Sequence, residues 1–339
     1  MRAIVIKGFG GLDSLVIETL PDPEPKAGHA VIEVKAFGIN HAETHMRKGE
    51  WAEAATVSGI ECVGVVKACP GGEFAPGTKV VAFMGGLGRT INGSYAELTN
   101  PPVTNIIPIN TDMSWEDLAV IPESYATAWT CLLRNLEIKK GQTLVVRGAT
   151  SALGRAALNI AHDAGATIIA TTRKKERFDV LKELGAQRCE IETPDLSKNL
   201  RDSKKIDAVL DLVGNTTFMD SLQMLRRGGR MCLAGCWAVS IQSTDSIHCF
   251  RCQAGSTSHS LAVLSLVLLN FPFRISRCRK SSIRRRLVCS KRNPQRFSSS
   301  TISGTRMKRW SQTSPTGRWL FWSRRLYIAA HSQKSTNQT

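Results

Sequence analysis

Acidic residues all but vanish from the end of this chain: of 28 Asp and Glu, only Asp245 lies within residues 239–339, a stretch holding 18 of the 45 Lys and Arg. Residues 1–238 therefore carry 27 residues of each sign, and the net charge of +17 belongs to the tail. A nucleic-acid binder carries its basic face on a folded module. Here the charge sits in one segment of odd composition, so no nucleic-acid partner is expected. Long apolar runs are missing too. The longest, 261–273, falls short of the roughly 20 residues a membrane helix needs, and no membrane association is expected. The opening MRAIVIKGFG has neither the apolar core of a secretory signal nor a basic amphipathic leader. Ten cysteines are present, yet Cys62, Cys69, Cys131, Cys189, Cys232 and Cys236 show no paired ligand spacing. The pair at 249 and 252 has no second pair to complete a zinc site. The scattered cysteines read as thiols of a cytoplasmic protein.

What is present falls into two patterns. Through the first third, short β segments (RAIVI, SLVIE, HAVIEVKAFGI, GVVKA, KVVAF) are separated by Gly, Pro and Asp clusters, the rhythm of a compact antiparallel barrel. Near Ser114 the spacing turns helical, with SWEDLAV offering a Ser N-cap and acids in the first turn. After Gly141 strands and helices alternate: TLVVR, a helix over 153–163, TIIATT, a helix over 175–184, AVLDLV, a helix over 218–225, then RMCLAG. That alternation implies right-handed βαβ units on a parallel sheet.

TLVVR runs into Gly148, Ala149, Thr150, Ser151, Ala152, Leu153 and Gly154, after which an Ala-rich helix opens. Small residues there let the backbone approach a pyrophosphate, and the helix start supplies N–H donors. A structural turn is the plainer alternative, but the placement between strand and helix in a βα series favours a dinucleotide. Ser151 stands where a second Gly is commoner, and its hydroxyl can bond a phosphate oxygen. An NAD enzyme would carry Asp or Glu at the end of TIIATT, for the ribose 2′-OH. This chain has Thr171 and Thr172, then Arg173 and Lys174. Guanidinium suits a 2′-phosphate, so NADPH is expected over NADH. The alternative is solvated charge at a helix start, although cations there oppose the helix dipole.

With these residues quoted, the chain over about 1–235 resembles the zinc-independent quinone oxidoreductases, the zeta-crystallin-like branch of the medium-chain dehydrogenase/reductase superfamily. The resemblance rests on AFGINHAETHMRKG, SGIECVGVV, PGTKVVAFMGG, GSYAEL, the YATAW helix, VVRGATSALG and the DLVG to RRGGRMCLAG unit, in that order. It implies an α/β protein with a GroES-like β-barrel catalytic domain (1–118), a Rossmann-type parallel-sheet NADPH-binding domain (119–237) and an aberrant basic tail (238–339). Metal-dependent relatives place Cys where this chain has Asn40 and His where it has Ile60. Glu61 alone cannot hold a catalytic zinc, so no metal is expected. The resemblance places Asn40 beside the nicotinamide as a donor to the carboxamide or the acceptor oxygen. It puts His45 at the cleft mouth as a donor or proton source, with a structural or surface histidine as the alternative. Arg47 falls at a cleft position, Thr127 near the nicotinamide ribose, and Val213 and Gly214 with the 148–154 turn around the cofactor. His41 carries no implied role. The implied reaction is hydride transfer to a small electrophilic acceptor, a quinone or an α,β-unsaturated carbonyl. The alternatives are an enoyl-thioester reductase on the same scaffold, or a non-catalytic NADPH-binding protein. Intact relatives are expected to be homodimers.

From Cys236 onward the text reads as the ordinary C-terminus of such a protein in the wrong reading frame. Met307 then Lys308 requires ATG and AA, so the shifted codon is GAA and encodes Glu. The same frame over 295–322 permits TVFKFDDIRDAHEAMESNEPNGKMVVL, similar to the family's last helix and strand. The chain as written is then expected to lack its closing strands, to fold poorly beyond about Gly235 and to have little activity.

Overall fold

The computed structural model describes residues 1–51, 53–214 and 216–234, together with the backbone of three short strands at 249–253, 263–267 and 321–322. It divides into two compact units, Met1–Pro122 with Arg318–Thr339, and Glu123–Gly317. The division falls after Pro122, where the sequence suggested a boundary at residue 118.

The first unit contains β1 (Arg2–Ile6), β2 (Leu15–Thr19), β3 (Val31–Phe37), α1 (His41–Lys48), β4 (Glu61–Ala68), β5 (Lys79–Phe83), β6 (Leu98–Thr99), β7 (Ile106–Pro108) and α2 (Trp115–Leu118). Strands β3, β4, β5 and β7 pair antiparallel in that order, and β6 also pairs with β3. The hairpin β1–β2 joins through bridges from Ala3 to Ala96 and Val5 to Val57. Alternating residues of these strands, among them Val5, Ile32, Val34, Val66, Val80 and Ala82, make one apolar core.

The second unit contains α3 (Pro122–Trp129), β8 (Thr143–Arg147), α4 (Ala152–Asp163), β9 (Thr167–Thr172), α5 (Phe178–Glu183), β10 (Arg188–Ile191), α6 (Leu196–Asn199), β11 (Ile206–Asp211), α7 (Phe218–Met224), β12 (Leu225–Leu233), β13 (Cys249–Gln253) and β14 (Val263–Val267). The sheet order is β10-β9-β8-β11-β12-β13-β14, parallel from β10 through β12. Leu144 and Val146 face one apolar layer with α4, while Val145 between them faces another with Leu196 and Met224. Both faces are therefore covered, which explains the unbroken apolar runs. The strand order reverses between β8 and β11, so their carboxyl ends form the switch point at which open α/β sheets bind ligands.

Three expectations are corrected. Strand β10, with its RCEI text of mixed polarity, has no sequence signal and is held by parallel pairing to β9. The tail does supply closing strands: β13 and β14 extend the sheet antiparallel, and β15 (Phe321–Trp322) pairs with β3. Backbone hydrogen bonding along an open sheet edge accepts any segment able to extend, whatever its reading frame. The remaining residues on which the frame argument bears lie outside the described set. Finally, Cys62, Cys69, Cys131 and Cys189 are free thiols, but Cys232 is disulfide-bonded. Its strand β12 pairs with β13, which carries Cys249 and Cys252. Among the described residues no helix is long and apolar enough to cross a membrane.

Candidate active site

In the first unit, Asn40 is the N-cap of α1, its backbone extended and its own N–H donated to Glu43 in the first turn. The Asn40 side-chain amide donates to Glu61 Oε1 at 2.9 Å. Glu61 is the first residue of β4 and wholly buried, so a strand start and a helix start are joined through these two side chains. Behind them, Glu43 accepts from Ile60 N–H at 3.0 Å and from the Tyr95 hydroxyl. Burial pushes the Glu43 carboxyl up to about 7, against three hydrogen bonds that lower it and with Glu61 nearby raising it further.

A consequence for stability follows. In the unfolded chain Glu43 returns to its ordinary value of 4.5, so the folded state holds the proton more tightly. The stabilisation is complete below pH 4.5 and is lost as pH rises through about 7. Relative to Glu43→Gln, the native protein is expected to lose about 2 kcal/mol between pH 5 and 8. Urea unfolding of both proteins across that range checks this; parallel curves would show that Glu43 does not titrate there.

His45 and Arg47 lie further along α1. His45 Nδ1 meets the Glu50 carboxylate, which is thereby held below its usual range, and the ring sits edge-on to His41 at 5.0 Å. Arg47 is engaged elsewhere: its guanidinium donates to the Gly10 carbonyl, and its own carbonyl accepts from Gly10 N–H at 3.0 Å. It clamps the turn after β1, a tertiary contact that its position in AFGINHAETHMRKG does not reveal.

In the second unit, the turn after β8 runs from Gly148 to the first turn of α4. Gly148 has φ of +70°, a conformation open to glycine without strain. A Cβ on Gly154 would lie 2.7 Å from the backbone of Ala149, so only glycine lets α4 pack this close. Ser151 N-caps α4, its hydroxyl oxygen accepting from Gly154 N–H at 3.0 Å. The Ser151 oxygen thus serves the helix, and its O–H proton remains to donate. Ala149 N–H donates to Thr171 at 3.1 Å and Leu153 packs on the core. The N–H groups of Ala152 and Leu153, first in the helix, take no acceptor among the described residues, as helix starts require. Across the switch point, Asp211 Oδ1 accepts from Val213 N–H at 2.9 Å and Gly214 N–H at 3.0 Å, fixing the turn after β11. Thr127 spends its hydroxyl on Glu123 at 2.9 Å, one helical turn back. Arg173 and Lys174 are exposed just past β9.

Sequence reasoning missed the groups beneath this turn. Arg147, the last residue of β8, is completely buried and bonds Glu192 at 3.0 Å, Asp220 at 2.7 Å and the Thr193 carbonyl at 2.6 Å. Burial alone would lower its pKa, but the bonds to Glu192 and Asp220 outweigh that and hold it above the ordinary value. The only local signal was an arginine ending an otherwise apolar strand. Arg155 on α4 was missed as well. Burial, and then the nearby Arg177 charge, push Arg155 down to about 10.

Residues 26–111 match the alcohol dehydrogenase GroES-like domain and residues 152–262 the zinc-binding dehydrogenase family. A solved NAD-dependent alcohol dehydrogenase is 30% identical, with a TM-score of 0.64, covering 69% of this chain and 77% of its own. The chain belongs to the medium-chain dehydrogenase/reductase superfamily. Within the superfamily, a quinone oxidoreductase from Pongo abelii is 27% identical over 245 residues, 69% of this chain and 73% of that protein. A mycobacterial protein complexed with NADPH is 26% identical with a TM-score of 0.63, covering 72% and 77% of the two chains. This dehydrogenase/reductase is an oxidoreductase that uses a nicotinamide cofactor and a small-molecule substrate, and its segment over 1–235 is quinone-oxidoreductase-like.

The family description also names zinc, which the described residues around Asn40 and Glu61 do not suit. Among the described residues no three His, Cys, Asp or Glu side chains gather as ligands. Glu61 is bonded to Asn40, and the Cys62 thiol is driven well above its ordinary value by burial and then by Glu61.

Proposed function

We propose that this chain is an NADPH-dependent reductase of quinones or α,β-unsaturated carbonyls. The observation that carries the cofactor choice is the cationic end of β9: Thr172 and then exposed Arg173 and Lys174, with Arg177 close to Arg155. Burial and then the Arg177 charge disfavour the Arg155 cation, an anion beside it favours it, and a 2′-phosphate is such an anion. The turn from Gly148 to Gly154, with the N–H groups of Ala152 and Leu153, suits the pyrophosphate.

Bound NADPH supplies the hydride, and the protein supplies position and polarity. Asn40, oriented by Glu61, is a donor for the oxygen on which charge develops in the acceptor. His45, held at Nδ1 by Glu50, is the proton source for that oxygen through Nε2–H, its ring then carrying both protons. By resemblance Thr127 is assigned to the nicotinamide ribose, its hydroxyl bonded to Glu123. Without a Lewis acid, the acceptor must already be electrophilic. Cytoplasmic location rests on the free thiols Cys62, Cys69, Cys131 and Cys189 and not on Cys232, and an in-frame relative is proposed to be a homodimer. We also propose that the residues from Cys236 onward are an out-of-frame reading of the C-terminus that such reductases carry.

Stopped-flow rates with a para-quinone and with a crotonyl thioester, NADPH against NADH, with and without chelator, test this reading. The expected result, for the chain with its frame restored from Cys236, is quinone turnover with NADPH that ignores chelator; metal-dependent alcohol oxidation overturns it. Arg173→Ala with Lys174→Ala is expected to raise the KM for NADPH about tenfold or more and leave that for NADH within twofold. Equal effects on both cofactors would return these residues to the status of solvated charge.

A further inference from the structure

One buried chain of hydrogen bonds runs under the cofactor turn and ends on it. Arg147 holds Glu192 through Nε at 3.0 Å and through Nη2. The other carboxylate oxygen of Glu192 accepts from the Thr171 hydroxyl, whose oxygen accepts in turn from Gly148 N–H at 3.1 Å. A threonine hydroxyl has one proton to give, and here it goes to the carboxylate, which leaves a lone pair for Gly148. The polarity of the whole chain is thus fixed by the charge on Arg147. The guanidinium also reaches Asp220, Ser221 and the Thr217 carbonyl. Thr217 and Ser221 donate to Asp211, the residue that shapes the turn at Val213 and Gly214. The ends of β8, β9, β10 and β11 are therefore tied to one cation.

We propose that Thr171, held by Glu192 and Arg147, is a positioning residue for the nicotinamide cofactor. By occupying Gly148 N–H it sets the left-handed turn that aims the N–H groups of Ala152 and Leu153 at the pyrophosphate. The proposal rests on assigning the cofactor to the 148–154 turn. Thr171 itself touches no cofactor atom in this scheme. It acts through Gly148, and the Thr171→Val variant, nearly equal in volume, removes the link while keeping the buried apolar contacts.

The test is titration of the full chain with NADPH, read by tryptophan quenching and by emission of the bound nicotinamide, alongside the Tm of each variant. Thr171→Val is expected to raise the Kd for NADPH about tenfold, and Thr171→Ser, which keeps the hydroxyl, to restore it. A merely structural threonine would lower Tm without this rescue of Kd. Should Thr171→Val fail to fold, Glu192→Gln decides, because its amide cannot accept from both Arg147 and Thr171; its Kd is expected to rise severalfold. A folded Thr171→Val or Glu192→Gln chain with the native Kd overturns the proposal. Ala152→Pro tests the underlying assignment separately. Proline is tolerated as the first helical residue after the extended Ser151, and it deletes one N–H aimed at the phosphate. If Ala152→Pro binds NADPH as tightly as the native chain, the assignment of the cofactor to this turn has failed, whatever Thr171 does.

Discussion

Arg147→Met is expected to destabilise the second unit by about 3–5 kcal/mol, the usual cost of removing one partner from a buried ion pair. Glu192 and Asp220 are each less than a tenth exposed, and both lose their counter-charge at once. Methionine fills most of the volume, so the loss is electrostatic and not a cavity effect. Ser221 and the Thr193 and Thr217 carbonyls lose a donor as well. The Tm should fall on the order of 10 °C. Arg2→Met is the control, because the Arg2–Glu97 pair at 2.6 Å is 46% and 32% exposed. An exposed pair of that kind is worth about 0–1 kcal/mol. If Arg147→Met unfolds within 1 kcal/mol of the native protein, as measured in urea, the buried network is not a stabilising element.

Restoring the alternative reading frame from Cys236 should raise NADPH-dependent quinone reduction by about two orders of magnitude or more over the chain as written. Misplacing reacting groups by about 1 Å already costs about a hundredfold, and the altered text spans residues 236–339. The composition points the same way: one acid against 18 Lys and Arg in 239–339 is what a shifted frame produces from ordinary codons. Strands β13, β14 and β15 pair through their backbones at the sheet edges, and the comparison of the two chains reads what the proposed change of frame does to turnover. The comparison needs both chains purified and assayed with the same quinone at saturating NADPH. Equal turnover, or coding DNA with no family-like text in any frame, would sink the frame proposal.

The cofactor turn was legible because its signals are local. Gly148, Ser151 and Gly154 sit within one turn of chain, and each owes its identity to a conformation, a cap or a close approach a few residues away. Asn40 as N-cap and Glu43 as its first-turn acid are equally local, but the sequence reading did not single out that capping pair. Arg47 shows the limit. Its place in the motif suggested the cleft, but its guanidinium is bound by Gly10, 37 residues earlier. Ser151 is intermediate, since the sequence marks it for the turn while only the structure shows its oxygen committed to Gly154. Strand β10 was invisible because its mixed text borrows stability from the strand beside it.

By itself the sequence determined the two patterns of the chain, a β-rich first third and a βα series, through the periods at which apolar residues recur. It also determined the glycine turn and the cationic text after β9, since both are written in adjacent residues. Tertiary structure alone decided which charges are buried and paired. Arg147 meets Glu192 and Asp220 across separations of 45 and 73 residues, and Glu43 meets Tyr95 across 52. A charged residue in a sequence carries no mark of its future partner, because desolvation and Coulomb attraction act through space. Parallel strands bring their carboxyl ends together only when the sheet forms, and that assembly places one guanidinium beneath the turns at the switch point.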